Sequence, residues 1–234
     1  LWGAVSASCR EVGIEFAPDN LERELDYREQ WGHPNLMFTQ CCGYDVAVDA
    51  GKSLRAIAAP RFAFAGCTEH FHSSFIVVRE DDPAWGVGDL RGRRAALNNV
   101  SSHSGTNALR AVIAPFSRDG RFFGEVRLSG AHVVSLQMLH AKQVDVACVD
   151  CVTWGLLQKH RPAALQGVRK IAQTPLAPVP PYVTSMRYGK VFARKLQGAL
   201  ERVMADPAHS AARDALGIGG VAAVDNALYD RILA

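Results

Sequence analysis

The chain has 234 residues, 48% of them hydrophobic and 21% charged, with a formal net charge of +3. This composition fits an ordinary globular protein, with enough apolar material for one large domain or two lobes of about 100 residues each. The basic residues are scattered apart from RGRR at 91 to 94. The chain therefore lacks the clustered Lys/Arg stripe of a nucleic-acid footprint, and no apolar run approaches the roughly 20 residues of a membrane-spanning helix.

In chain order, apolar residues at 1, 2, 5 and 9 predict a helix over 1–12. The chain starts at Leu1 without the charged start and long apolar centre of a secretory signal, which suggests a processed or truncated sequence; its compartment is not legible there. Asp19 and Asn20 suit the cap of a second helix, over 20–31. NLMFTQ reads as a strand, CCGY as a turn, YDVAVDAG as a short helix, and LRAIAAP and HSSFIVVRE as strands. DLRGRRAALN is a turn and strand, TNALRAVIAPF a helix, GEVRLSG a strand and VVSLQMLHAK a helix. VDVACVD (strand), TWGLLQKH (helix) and VRKIAQT (strand) follow, and after the Pro-rich 175–181 come helices over 189–206, about 208–215 and about 224–233. Strands alternating with helices of about 10 residues predict an α/β fold with mainly parallel sheets flanked by helices. The Pro-rich stretch and the extended region near 73–80 are the expected crossings between two lobes: 1–78 plus 181–234, and 79–180.

The six cysteines do not suggest a disulfide scaffold in so long a chain. Cys148 and Cys151 form a C-x-x-C at the end of a predicted strand, where their side chains diverge; they read as structural, neither redox-active nor metal-bound. Cys42 and Cys67, both in loop-like stretches, are the one pairing that suggests a disulfide.

In parallel sheets, ligands bind where strands end and loops lead into helices. SSHSG at 101–105 occupies such a turn. Ser101, Ser102 and Ser104 offer hydroxyls, Gly105 permits close backbone approach, and a helix start attracts an anion. The bland alternative is a capped helix with a solvated loop. His132 and Ser135 start the next predicted helix, His132 as an anion donor or a cap. Asp150 ends the next strand, as a proton acceptor for a ligand or a cap near Thr153. Three such turns on one sheet edge favour a convergent pocket.

These segments, with CCGYDVAV, the Gly66–Cys67 pair, SSFIVVRE, DLRGRRAALN and TPLAPVPPYVTS, resemble in order the phosphate/phosphite/phosphonate-type solute-binding proteins of ABC transporters, over about residues 35–185. The resemblance implies a two-lobed periplasmic-binding-protein type II fold with its ligand cleft between the lobes. It implies that Ser102, His103, Ser104 and Gly105 hold a phosphorus oxyanion, that His132 and Asp150 reach it, and that Tyr44 joins from the first lobe. His103 stands where the family often has Thr, and Phe71 or His72 where a tyrosine is common. The implied protein is a periplasmic, monomeric, non-catalytic receptor without cofactor or metal, handing a small anion to a membrane permease. A ligand-sensing domain of a regulator or receptor kinase is the alternative on the same fold. A serine- or cysteine-dependent enzyme lacks support, since no G-x-S-x-G elbow is present.

Overall fold

The computed structural model describes residues 1–233. In chain order the elements are α1 (Trp2–Glu11), α2 (Tyr27–Gly32), β1 (Thr39–Gln40), α3 (Gly43–Val48), β2 (Leu54–Phe62), β3 (Cys67–Thr68), β4 (Phe71–His72), β5 (Ser74–Arg79) and β6 (Arg94–Leu97). Then come α4 (Ala108–Ile113), β7 (Glu125–Leu128), α5 (His132–His140), β8 (Val146–Asp150), α6 (Cys151–His160), β9 (Val168–Gln173) and β10 (Ala177–Pro178). The chain ends with β11 (Tyr182–Ser185), α7 (Lys190–Ala205), α8 (Ser210–Leu216) and β12 (Ile218–Ala223), followed by a 3-10 segment, Asn226–Ile232. No helix among the described residues is long and apolar enough to cross a membrane.

The chain divides into two compact units: residues 1–63, 68–71 and 178–234 make the first, and residues 64–67 and 72–177 the second. In the first unit the strand order is β1-β11-β2-β12, with every neighbour antiparallel. Helix α7 buries Ala193, Leu196, Ala199, Leu200, Val203 and Met204. Their spacing of three and four residues is one helical face, and it packs with Val5, Cys9 and Ile14 of the amino-terminal segment and Ile57 and Ala58 of β2.

The second unit is built on a five-stranded sheet of order β7-β6-β8-β5-β9. The expectation of mainly parallel sheets is corrected here. Only β6 pairs in parallel, with β7 and β8, whereas β5 runs antiparallel to both β8 and β9. A run such as FIVV, buried on both faces, carries no sign of its direction, because parallel and antiparallel strands share the period of two. Alternation does fix the faces. Phe75, Val77, Ala96, Ala147 and Val149 meet Leu136 and Leu139 of α5 and Trp154 and Leu157 of α6 on one side. Ile76, Val78, Ala95, Val146 and Cys148 meet Leu109 and Ile113 of α4 on the other.

Three sequence expectations fail locally. The predicted helix over 20–31 shrinks to α2, capped by Asp26, which accepts from Arg28 N–H at 2.8 Å; Leu21 and Leu25 remain exposed, so no core face holds the preceding turns. β12 was not predicted: IGGVAA has little strand propensity, and its pairing with β2 supplies the order. The final predicted helix is a 3-10 segment instead.

Candidate functional site

At one end of the second unit's sheet, β6 and β8 finish and the antiparallel β5 begins. Ser74 is therefore paired with Asp150, and His72, two residues before, arrives at the end where the sequence places SSHSG, His132 and Asp150.

The SSHSG loop wraps into a single π-helical turn, His103–Asn107, that leads into α4, with Asn107 N–H donating to Ser102 O at 3.1 Å. Ser102 Oγ caps the turn by accepting from Gly105 N–H at 3.2 Å. Helix geometry leaves the N–H groups of His103 and Ser104 without an intrahelical acceptor. A Cβ on Gly105 would lie 1.9 Å from Asn98 Oδ1 and 3.0 Å from His132 Cε1, so glycine is required to let those two side chains close on the loop. Asn98 Oδ1, His103 Nδ1 and Asn107 Nδ2 are buried without a hydrogen-bond partner.

His132 Nδ1 lies 3.1 Å from the carbonyl oxygen of Cys148, which can only accept, so Nδ1 carries the proton. Burial lowers the His132 pKa and keeps the ring neutral. Its Nε2 is thus an acceptor, and the Ser104 hydroxyl donates to it at 3.2 Å. The expected anion donor is in this arrangement an orienter of Ser104, whose oxygen keeps its lone pairs for another partner. Cys148 Sγ adds a contact to Ser104 O at 3.2 Å, fixing the loop from below.

Behind this loop is a buried charge pair. His72 Nδ1 lies 2.9 Å from Asp150 Oδ2, with the two side chains 4% and 10% exposed. The ring N–H is out of line with that oxygen, making this an ion pair more than a directed hydrogen bond. Burial works against the charge on His72, yet the carboxylate prevails and raises its pKa. Asp150 is held down to about 2, the His72 contact outweighing burial. Burial, with the positive charge of His72 second, pushes His103 down to about 4.

The predicted residues therefore separate. Ser102, His103, Ser104, Gly105 and His132 converge. Ser101 is engaged locally, its hydroxyl and N–H each donating to Asn99 Oδ1 at 3.0 Å. Both oxygens of Asp150 are committed, one to His72 and the other to Thr153 N–H at 2.7 Å, so it serves the site as a support. Ser135 is buried and bonded to Ser129 Oγ at 2.6 Å. Tyr44 belongs to α3 of the other unit. His72, Asn98 and Asn107 are the additions; only His72 had left a signal, as the residue at the place of a family tyrosine.

The cysteines also fall into place. Cys148 and Cys151 point into opposite core clusters. All six are free thiols, and the suggested Cys42–Cys67 bridge is not found, because Cys67 Sγ lies 3.3 Å from Cys151 Sγ.

Residues 32–229 match the family described as "ABC transporter, phosphonate, periplasmic substrate-binding protein". The chain belongs to this family. Its members are periplasmic substrate-binding proteins. Among curated proteins, none matches the chain. Solved structures show the shared fold. A binding protein component of an ABC phosphonate transporter from Pseudomonas aeruginosa, PA3383, superposes with a TM-score of 0.73 at 16% identity, over 97% of this chain and 78% of that one. PhnD1 from Prochlorococcus marinus, in complex with methylphosphonate, gives 0.70 at 16% identity over 85% and 76%. XAC2383 from Xanthomonas citri, in an ATP-bound structure, gives 0.72 at 17% identity over 98% and 91%. The type II periplasmic-binding fold expected from the sequence is thereby shown.

Proposed function

We propose that this protein is the periplasmic receptor of an ABC importer, and that it holds a small phosphorus oxyanion of the phosphonate or phosphate kind at the SSHSG end of the second unit's sheet. It acts as a monomer and passes the anion to a membrane permease. The observation that carries this reading is the convergence of under-bonded polar groups there. Ser102 and Ser104 belong to the same turn as its first N–H groups, and three buried polar atoms of the stretch 98–107 lack partners. A buried polar atom without a partner costs roughly 1–3 kcal/mol; three within ten residues mark a loop that its own neighbours do not complete. The helix start adds a partial positive charge without a formal cation.

The bonding also favours a ligand that brings a proton of its own. Ser104 donates to His132 and is left as an acceptor, so a monoprotonated oxyanion fits better than one that is fully deprotonated. The ligands named for the structural relatives, methylphosphonate and ATP, are both phosphorus oxyanions, which supports the class. A thermal-shift panel of phosphate, phosphite, methylphosphonate and sulfate tests the reading. A ligand that binds the native state alone raises the melting temperature as RT ln(1 + [L]/Kd). The phosphorus anions should shift it, and sulfate, which carries no proton near neutrality, should not. No shift with any phosphorus anion would refute the reading, and an equal shift with sulfate would refute the need for a ligand proton.

A further inference from the structure

The Cys67–Cys151 contact takes no part in ligand binding as proposed above, and among the described residues it is where two thiols of this chain meet. The two sulfurs are 3.3 Å apart, although the residues are 84 positions apart in sequence. The backbone is shaped to bring them together. Gly66, immediately before Cys67, has φ +92°, and a Cβ there would lie 2.8 Å from Cys151 Cβ and 2.9 Å from Ser73 Oγ. Only glycine admits both that backbone and that approach. Cys151 is the first residue of α6, and its N–H donates to Ser73 O at 3.1 Å. Cys67 N–H donates to Phe64 O at 3.0 Å. Both ends are thus anchored by main-chain bonds while the side chains face each other. Cys67 is partly exposed and Cys151 is buried.

We propose that Cys67 and Cys151 are a redox site: a dithiol that closes to a disulfide and ties the segment at 64–67 to the start of α6. A disulfide bond is about 2.05 Å long, so the sulfurs need to approach by little more than an ångström, a motion that side-chain rotation supplies. The family's compartment, the periplasm, is where disulfides form and persist. The oxidant is a disulfide, whether a small molecule or a thiol oxidase. Cys67, the accessible partner, passes its proton to solvent and attacks one sulfur of that disulfide as the thiolate, expelling the other sulfur as a thiolate. Cys151 then gives up its proton and attacks the Cys67 sulfur, expelling the second thiolate. The two leaving thiolates take up the two protons. The cysteine pair loses two electrons, and the oxidant is reduced to two thiols.

In the reduced pair the two thiols bias each other's ionisation. The contact with Cys67 is the largest influence lowering the Cys151 thiol, to about 7, and the same contact raises that of Cys67. That hydrogen bond is lost once Cys67 carries the mixed disulfide, so the closing step rests on the 3.3 Å approach of the two sulfurs and not on this shift.

The test is a thiol count on the full chain, reduced and then incubated with oxidised glutathione. The parent should lose two of its six thiols, peptide mapping should place the link at Cys67–Cys151, and dithiothreitol should restore both. Closing a loop of this length should also raise the melting temperature by about 10 °C in the oxidised form. Cys67→Ser and Cys151→Ser should each abolish the link, whereas Cys148→Ser should still lose two thiols. All six thiols surviving in the parent, a link between any other pair, or a lasting glutathione adduct on Cys67 would each overturn the proposal, independently of whether the variants fold.

Discussion

The two ends of the second unit's sheet are made of the same strands and use charge in opposite ways. Where β5 ends and β6 and β8 begin, Asp145 accepts two bonds from the Arg94 guanidinium, at 2.7 and 3.0 Å, and one from Arg94 N–H at 3.1 Å. Arg79 lies 3.7 Å from the same carboxylate and donates to Val144 O at 2.9 Å. Asp82 accepts from Ala84 N–H at 2.9 Å and pairs with Arg93 at 3.5 Å. These arginines hold Asp145 down to about 2, with Arg94 first. At the other end, where β5 begins, the loop of 98–107 keeps one histidine, His103, whose protonation burial opposes, with short hydroxyls and unpartnered amide atoms. The contrast separates the proposed roles: the arginine-rich end pairs its charges, leaving Arg79 Nε without a hydrogen-bond partner, and stabilises, whereas the stretch 98–107 leaves three polar atoms unpartnered and is the proposed binding end. A polar cluster that completes its own hydrogen bonds has nothing left to offer a ligand.

Substitutions at the two ends should therefore have different signatures. The largest effect is expected at the support of the proposed binding end. Asp150→Asn keeps the cap on Thr153 but leaves buried His72 without its counter-charge, a loss of about 3 kcal/mol in urea unfolding. The pH dependence has a definite sign. His72 has its folded pKa raised above 6.5, so its contribution is complete below that and fades as pH rises through the folded value. Asp150, lowered from 3.8 to about 2, contributes above 3.8 and fades as pH falls through about 2. The gap between parent and variant should be widest between pH 4 and 6.5 and narrow in alkaline buffer; a gap constant from pH 5 to 9 would show that the pair is not charged.

Next in size is Asp145→Ala, which strands Arg94 and Arg79 and should cost about 2 kcal/mol, the pair being only partly buried. Anion affinity should stay within about twofold in this variant, because nothing at that end reaches the ligand. A tenfold loss of affinity would erase the proposed division of roles.

Smaller still is the acid response of His103. Its folded pKa lies near 4, below the ordinary 6.5, so the folded state resists its protonation and stability falls as pH drops from 6.5 towards 4. His103→Gln should recover about 1–2 kcal/mol at pH 4.5 relative to pH 7, once partial solvent access is discounted. Parallel stability curves for parent and variant over that range would place His103 in water.

Much of this site was legible because its chemistry lies in short, local motifs. SSHSG, His132 and Asp150 each follow or end a predicted strand, and turn chemistry is a local property. His72 was not assigned to the site because its place depends on the direction of β5, whose partners β8 and β9 lie about 70–100 residues downstream. Period and composition alone do not report direction, so a rule restricted to carboxyl ends of strands passes over a residue at an amino end. The roles of Asp150 and His132 were hidden for a related reason. Whether a carboxylate or an imidazole is free for a ligand depends on what else it touches: His72 and Thr153 in one case, the Cys148 carbonyl in the other. In the first unit, β12 exists because β2 offers it an edge, and the shortened α2 reflects Leu21 and Leu25 finding no core.

The central claim is that the SSHSG loop holds the anion, and isothermal titration of Ser102→Ala and Ser104→Ala against methylphosphonate and phosphate tests it most directly. A hydroxyl bonded to a charged group contributes about 1.5–3 kcal/mol, so each variant should bind ten- to a hundredfold more weakly than the parent; Ser104→Ala should melt near the parent temperature, and Ser102→Ala a few degrees lower through loss of its cap. Parent-like affinity in both variants would reduce the loop to a helix cap and contradict the account.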